Sequence, residues 1–304
     1  MIRVGTIIHS IQNFCSTFVK KLYSMADNIK PAWLKIKLRY TDEYLRVKKT
    51  VSMHQLHTIC ESGSCPNKNE CWSRGVASFM ILGNICTRSC KFCDVPSGKP
   101  FPPDWEEPSR VANAIKLMGL KSVVITSVDR DDLDDYGASF WAQTIHTVKE
   151  INPQVKLETL IPDFQGKTTL LDIVIQAAPD IISHNLETVR RLTPLVRTKA
   201  QYDTSLSVLE HIARSGVVSK SGIMVGLGET DTEVLQTMDD LRNVGCQILT
   251  IGQYLRPSYQ NMEVHEYVKP EKFEWYREEG LKRGFRYVES APMVRSSYYA
   301  EKHF

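Results

Sequence analysis

From residue 76 onward the chain switches repeatedly between two hydrophobic rhythms. Short β-rich runs appear at 77–83 (ASFMILG), 122–128 (SVVITSV), 156–162 (KLETLIP), 181–187 (IISHNLE), 221–228 (SGIMVGLG) and 247–255 (QILTIGQYL). Each is followed by a stretch with apolar residues three and four apart, at 107–120, 139–151, 168–179, 202–216, 232–245 and 271–284. Near-continuous Val/Ile/Leu runs suit strands covered on both faces. The three-and-four spacing suits helices that lay one stripe on such a sheet. Six alternations predict an α/β fold with a parallel sheet wrapped by helices, curved into a partial (β/α)6 barrel of the TIM type. An open doubly wound sheet shares the alternation and stays as the alternative. In both, chemistry belongs on the loops that leave the carboxyl ends of the strands.

The remaining segments divide the chain. Residues 1–24 carry Arg3, Lys20 and Lys21 with no acid before Asp27. They lack the long apolar core and small-residue cleavage site of a secretory signal; a mitochondrial presequence stays as an alternative, weakened by the scarcity of Arg. They read as an extension of uncertain role translated from an upstream start, with Met25 as a second start and no role for Cys15. Residues 25–75 form a cysteine-bearing segment, 76–288 the barrel and 289–304 a polar tail. The 304 residues, 42% of them hydrophobic, suffice for one large α/β domain or two smaller ones. A net charge of +3 makes no case for nucleic acid or a membrane surface, and no apolar run nears the roughly 20 residues of a membrane span.

Cysteine usage changes the picture. Six of the eight cysteines fall in two triplets, Cys60, Cys65 and Cys71, then Cys86, Cys90 and Cys93. Clustering in a chain this long reads poorly as a disulfide framework and better as reduced thiolates in a cytoplasmic setting. The second triplet, C-x3-C-x2-C, directly follows the first strand of the repeat, where chemistry is expected. Three thiolates on one loop suit a [4Fe–4S] cluster with one iron left open, whereas a structural zinc loop would need a remote fourth ligand. An open iron can chelate the amino and carboxylate groups of S-adenosyl-L-methionine (SAM) and pass an electron to its sulfonium, releasing a 5′-deoxyadenosyl radical.

The spacing, with Phe92 before the last cysteine, resembles the radical SAM superfamily. That resemblance implies further SAM contacts: Thr126 and Ser127 in TSVDRDD facing the methionine part, Asn185 and Glu187 in HNLET near the ribose, and Gly226 in GIMVGLGE letting backbone approach the cofactor.

The first triplet, C-x4-C-x5-C in CESGSCPNKNECW, is similar to the auxiliary-cluster motif of the lipoyl synthase family. KPAWLKIKL, FMILGNICTRSCKFCDV, VVITSVDRDDL, HNLETV, SKSGIMVGLGET, LTIGQYLRPS and VRSSY extend the resemblance over nearly all of residues 30–300. It implies two [4Fe–4S] clusters and SAM, with N-terminal and C-terminal extensions covering the barrel mouth. The reaction implied is insertion of two sulfur atoms at C6 and C8 of an octanoyl chain on a lysine of a lipoyl carrier domain. An aliphatic C–H bond offers no acidic proton, so a radical must open it. Cys86, Cys90 and Cys93 would hold the cluster that cleaves SAM, and Cys60, Cys65 and Cys71 the cluster that donates sulfur. The resemblance assigns the latter a serine ligand in RSSY, placed on Ser297 with Ser296 as second candidate, and Arg295 and Tyr298 as anchors of a tail folded back on the triplet. Implied partners are the glycine cleavage H protein or a 2-oxoacid dehydrogenase E2 domain as carrier, a reduced flavodoxin or ferredoxin, and an iron–sulfur carrier that rebuilds the cluster. KLRY, ESAPMVRSSY and the pair Lys68–Asn69 depart from the family's usual wording without removing a ligand.

Plainer readings hold for the rest. Cys246 is a core thiol, His54 and His57 pack or hydrogen-bond, and Trp72, Trp105, Trp141 and Trp275 are core or hinge aromatics. DRDDLDD is in large part a solvated loop unless Arg130 holds SAM or substrate. Biotin synthase is the nearest enzymatic rival, disfavoured by the compact first triplet; a non-catalytic iron–sulfur or zinc protein would have no use for six β/α units.

Overall fold

The computed structural model describes residues 30–304 apart from 37 and 39; the extension to residue 24, Cys15 and Met25 lie outside them. Of the residues before Ile36, the 3-10 turn Ala32–Leu34 is described, and Ile36–Phe304 forms a compact unit of its own.

In the larger unit eight strands lie side by side in chain order: β1 (His57–Thr58), β2 (Ser78–Ile81), β3 (Ser122–Ser127), β4 (Lys156–Leu160), β5 (Ile181–Ser183), β6 (Val218–Val225), β7 (Ile248–Gln253) and β8 (Tyr287–Ser290). β1 runs antiparallel to β2; every later pair is parallel. The sheet is an open barrel, since β1 and β8 are its two edges. The six expected β/α units run from β2 to α10, and β1 and β8 add to them. The ten α-helices are α1 (Asp42–Met53), α2 (Ile59–Ser62), α3 (Lys68–Ser73), α4 (Glu107–Met118), α5 (Ala138–Ile151), α6 (Thr168–Gln176), α7 (Thr193–Val196), α8 (Tyr202–Arg214), α9 (Asp231–Asn243) and α10 (Pro270–Lys282) among the described residues. Local chemistry sets several ends: Pro108 opens α4, Gly119 closes it in the left-handed conformation, and Thr230 and Glu233 form a reciprocal capping box on α9.

Alternation along the strands separates two environments. Val123, Ile125, Leu157 and Ile182 pack with α4, α5 and α6 residues in one core, and Ile223, Val225, Leu249 and Ile251 pack with α9 and α10 in a second. Glu158, Ser183 and Lys220, from the alternate positions, are buried too, and they meet one another: Lys220 Nζ donates to Glu158 Oε2 at 2.8 Å and Ser183 Oγ to Glu158 Oε1 at 2.6 Å. The barrel interior is therefore polar. Into it runs the C-terminal tail, which passes Gly252 of β7 at Val294, Asn185 at Ser296, and reaches Lys220 through His303 Nδ1 at 3.3 Å.

The strand expected over 181–187 is shorter, ending at Ser183. Glu187 turns into the left-handed region (φ 68°) and bridges Ile223 of β6 in place of a continuing ladder. Likewise Leu82 (φ 67°) and Gly83 (φ 86°) turn the chain out of β2 and into the cysteine loop. Among the described residues no helix is long and apolar enough to cross a membrane.

Candidate active site

The loop leaving β2 carries Cys86, Cys90 and Cys93, and its shape is held from outside itself. Cys86 pairs with the returning chain, its N–H donating to Pro96 O at 2.8 Å and its carbonyl accepting from Gly98 N at 2.9 Å. Lys91 N donates to Val196 O at 2.9 Å, and Asn261 Nδ2 to Cys93 O at 2.9 Å, so α7 and the loop after β7 both grip it. The N–H groups of Arg88 and Asp129 each lie 3.4 Å from Cys86 Sγ, donors that favour a charged sulfur.

Arg88 is the strut. Its buried guanidinium donates to Asp131 (2.8 and 2.9 Å) and to Asp163 (2.7 and 2.9 Å), and Asp129 lies 3.3 Å away. Loops after three successive strands, β2, β3 and β4, are thereby tied together around one charge. Burial works against the charge of Asp131, yet hydrogen bonds from Arg88 and Gln165 hold its carboxyl well below the usual carboxylate range. Partial burial, with repulsion from Asp163 and Asp131, pushes the Asp129 carboxyl up to about 6 despite Arg88. Sequence reasoning missed Arg88 and Asp163; their only signal was a charged pair at two strand ends. In DRDDLDD, Asp132 and Asp134 are exposed, as expected of a solvated loop, while Arg130 is drawn inward. Arg130 is buried, chelated by Asp132 (2.8 and 2.9 Å) and near the Leu82 carbonyl, so it braces the loop and does not reach toward a ligand.

The other candidates fall unevenly. Asn185 Nδ2 donates to Glu187 Oε1 at 3.0 Å and to Ser296 Oγ at 2.6 Å, while its buried Oδ1 finds no donor among the described residues. Burial raises the Glu187 pKa, opposed by Arg197 and Asn185. Phe92 packs against the second core. Thr126 Oγ1 is spent on Leu160 O at 3.1 Å, and Ser127 Oγ accepts from the buried Trp141 Nε1 at 3.3 Å. Gly226 needs to be glycine for the protein's own sake: at φ 95° a β-carbon would meet Gln253 Nε2 at 2.2 Å and Glu266 O at 2.4 Å. Its N–H donates to Glu229 Oε1 at 2.5 Å.

Cys60, Cys65 and Cys71 lie on α2, the turn after it, and α3. Cys65 N donates to Cys60 O (3.2 Å), Lys68 N to Cys65 O (3.2 Å), and Cys71 N to Asn67 O (2.9 Å), winding the segment on itself. Burial raises all three thiols, Cys60 to about 11 and Cys71 to about 12; Cys65 adds to the rise of Cys60, and both add to that of Cys71. The tail arrives here. Asn67 Nδ2 donates to Met293 O at 2.6 Å, Tyr298 Oη to Glu70 Oε1 at 2.9 Å, and Arg74 pairs with Glu301. Arg295 is enclosed, with burial lowering its pKa and the Cys65 charge countering it. Ser64 donates to Asp94, next to Cys93, linking the two triplet segments. Cys246 is a core thiol against Ile248 O at 3.3 Å. His57 pairs in β1, and the His54 carbonyl accepts from Arg110. Trp72 and Trp141 are core, whereas Trp105 is 57% exposed, lying over Phe140, and is no core residue.

Beside this region a cavity of about 410 Å³ is lined by His57, Leu82, Phe101, Glu107 and Arg110 among others. Burial lifts the Glu107 carboxyl to about 7 while Leu82 N donates to it at 2.7 Å.

An open parallel barrel with three thiols on the loop after its first parallel strand defines a radical SAM protein, and residues 80–241 match the Radical SAM superfamily. The crystal structure of methylornithine synthase aligns with a TM-score of 0.53 at 12% identity, covering 86% of this chain and 82% of that one, a likeness of fold. The lipoyl synthase of Parabacteroides distasonis is 62% identical over 274 residues, 90% of this chain and 98% of the relative. That of Bacteroides thetaiotaomicron is 61% identical over 280 residues, 92% and 99%. The chain belongs to the lipoyl synthase family.

The residues fit the cofactors this family implies. Among the described residues no three acidic, His or Cys side chains converge on a single ion; each triplet instead groups three thiols, the donor set for three irons of a cubane. Among the described residues the buried Asn185 Oδ1, in the loop after β5, has no hydrogen-bond donor, and SAM hydroxyl or amino donors would be welcome there.

Proposed function

We propose that this enzyme inserts sulfur at C6 and C8 of an octanoyl chain held on a lysine of a lipoyl carrier domain, with the work divided between two [4Fe–4S] sites. Cys86, Cys90 and Cys93 would hold one cluster and leave an iron for SAM. Cys60, Cys65, Cys71 and Ser297 would hold the other. With these groups bound, the site has the means for reductive cleavage of SAM and for donation of sulfide.

What the chain's own residues contribute follows from the geometry. Arg88, clamped by Asp131 and Asp163, fixes the first cysteine loop. Asn185 and Glu187 offer oxygen acceptors to ribose hydroxyls. Ser296 Oγ accepts from Asn185 Nδ2 at 2.6 Å, and the family resemblance puts the ligand on Ser297, with Ser296 as second candidate. The carrier is the glycine cleavage H protein or a 2-oxoacid dehydrogenase E2 domain, electrons come from a reduced flavodoxin or ferredoxin, and an iron–sulfur carrier restores the spent cluster.

The observation that supports this reading is the tail's docking beside the first triplet on Asn67 and Glu70, across 226 and 228 residues of chain, in keeping with a second cysteine site apart from the barrel loop. The test is anaerobic reconstitution with iron and sulfide counts. Cys→Ala at Cys86, Cys90 or Cys93 should abolish 5′-deoxyadenosine formation. Cys→Ala at Cys60, Cys65 or Cys71 should spare some SAM cleavage and end lipoyl formation. Equal loss of cleavage in both sets, with the untouched cluster intact, would refute the division.

A further inference from the structure

Lys220 of β6 and Glu158 of β4 form an ion pair inside the barrel, both fully buried. Apolar residues of similar volume often fill such a place at least as stably, and the best-attested use of a buried pair is to fix a register. The chain end supplies a partner to be registered. Lys220 Nζ, 2.8 Å from Glu158 Oε2, also lies 3.3 Å from Nδ1 of His303, which is itself buried and sets its ring 5.7 Å from that of Tyr287 on β8.

An ammonium offers donors only, so Nδ1 is the acceptor and the imidazole is neutral, with its proton on Nε2. Burial and the Lys220 charge keep it neutral, lowering the His303 pKa from 6.5 to about 3. An apolar residue of the same size would fill the space and leave the ammonium short of an acceptor.

The place of His303 in the chain gives this contact a use. Upstream, the tail is fixed where Pro292 O accepts from Gln253 N at 3.2 Å and Met293 O from Asn67 Nδ2 at 2.6 Å. Downstream, it is fixed at His303. Ser296 and Ser297 lie on the span between, and releasing either end would let that span move.

We propose that the Lys220–Glu158 pair is a socket for His303, and that this anchor holds the tail so that Ser297 stays beside the first cysteine triplet. His303 is then a positioning residue acting through the tail backbone, and the inference rests on the reading of Ser297 as a ligand.

The test uses reconstituted full-length enzyme. His303→Phe fills the socket without an acceptor, and His303→Gln returns an acceptor oxygen. Hydrogen exchange of residues 294–304 should rise about 10–100-fold in His303→Phe, the range spanned by a hydrogen bond to a charged group, and fall back in His303→Gln, with strand exchange unchanged. Under a chelator, His303→Phe should lose the auxiliary cluster faster than the parent, that cluster being the one whose electron paramagnetic resonance signal added SAM leaves unmoved; the SAM-binding cluster should persist as in the parent. Parent-like tail exchange in His303→Phe would overturn the anchor, and so would a rise shared equally by the strands. Faster auxiliary loss in Ser297→Ala but not in His303→Phe would overturn the positioning role alone, whereas unhastened loss in Ser297→Ala would overturn the ligand reading and this role with it.

Discussion

Replacing Gly252 by Ala tests whether the tail's place inside the barrel makes the auxiliary site. Gly252 lies in β7 with ordinary extended backbone, so alanine costs nothing locally. The added methyl, however, would sit 2.1 Å from the Val294 carbonyl oxygen and 3.2 Å from Arg295 Nη1, against a closest approach of 3.0 Å for real β-carbons. The obstacle is backbone, which cannot rotate aside. Overpacking of this kind costs about 1–3 kcal/mol. The tail's anchors at Asn67–Met293, Asn185–Ser296 and Glu70–Tyr298 are each worth a net of about 0.5–1.5 kcal/mol, so the push is comparable to what holds the tail down. The docked fraction should therefore fall by about 5–150-fold relative to the undocked one. Hydrogen exchange of residues 291–304 reads this directly, and iron retention under a chelator reads its consequence. Gly98→Ala, whose methyl meets only Ile85 Cγ2 at 3.5 Å, is the control. Unchanged tail exchange and unchanged retention in Gly252→Ala would refute the reasoning.

Ser297→Ala should slow lipoyl formation and alter auxiliary-cluster breakdown, and Ser297→Cys should hold that cluster more tightly; a normal Ser297→Ala beside a failing Ser296→Ala would move the ligand to the neighbour. Burial lowers the His184 pKa from 6.5 to about 4, so the folded state refuses a proton the unfolded chain accepts. Stability is then full above pH 6.5 and lost as pH falls toward 4, by about 1.4 kcal/mol per unit. His184→Gln should flatten that slope in urea titrations at pH 7 and 5, and an undiminished slope would assign it to other groups. Free octanoate should be turned over far more slowly than the carrier-linked chain, because it lacks the contacts that position its carbons; equal turnover would remove the need for a carrier surface.

The alternating runs determined the repeat, because a strand covered on both faces and a helix laid across it each need a distinct apolar period. The spacings C-x4-C-x5-C and C-x3-C-x2-C likewise determined which thiols lie together, since cysteines within one short segment are neighbours in space as in sequence. Other features depend on approaches between residues remote in the chain. Arg88 meets Asp131 and Asp163 only once three strand ends are side by side. Gly252 reads as an interruption in QILTIGQYL until Val294 is seen against it. Glu158 and Lys220 look like surface charges in otherwise apolar strands, and only the inward turn of alternate residues makes them a buried pair. The tail's descent past Gly252 to His303 was decided by tertiary structure for the same reason: a chain end takes its shape from the cavity that receives it, and the polar interior that receives this one is assembled from four strands, β4 to β7, none of which encodes it alone.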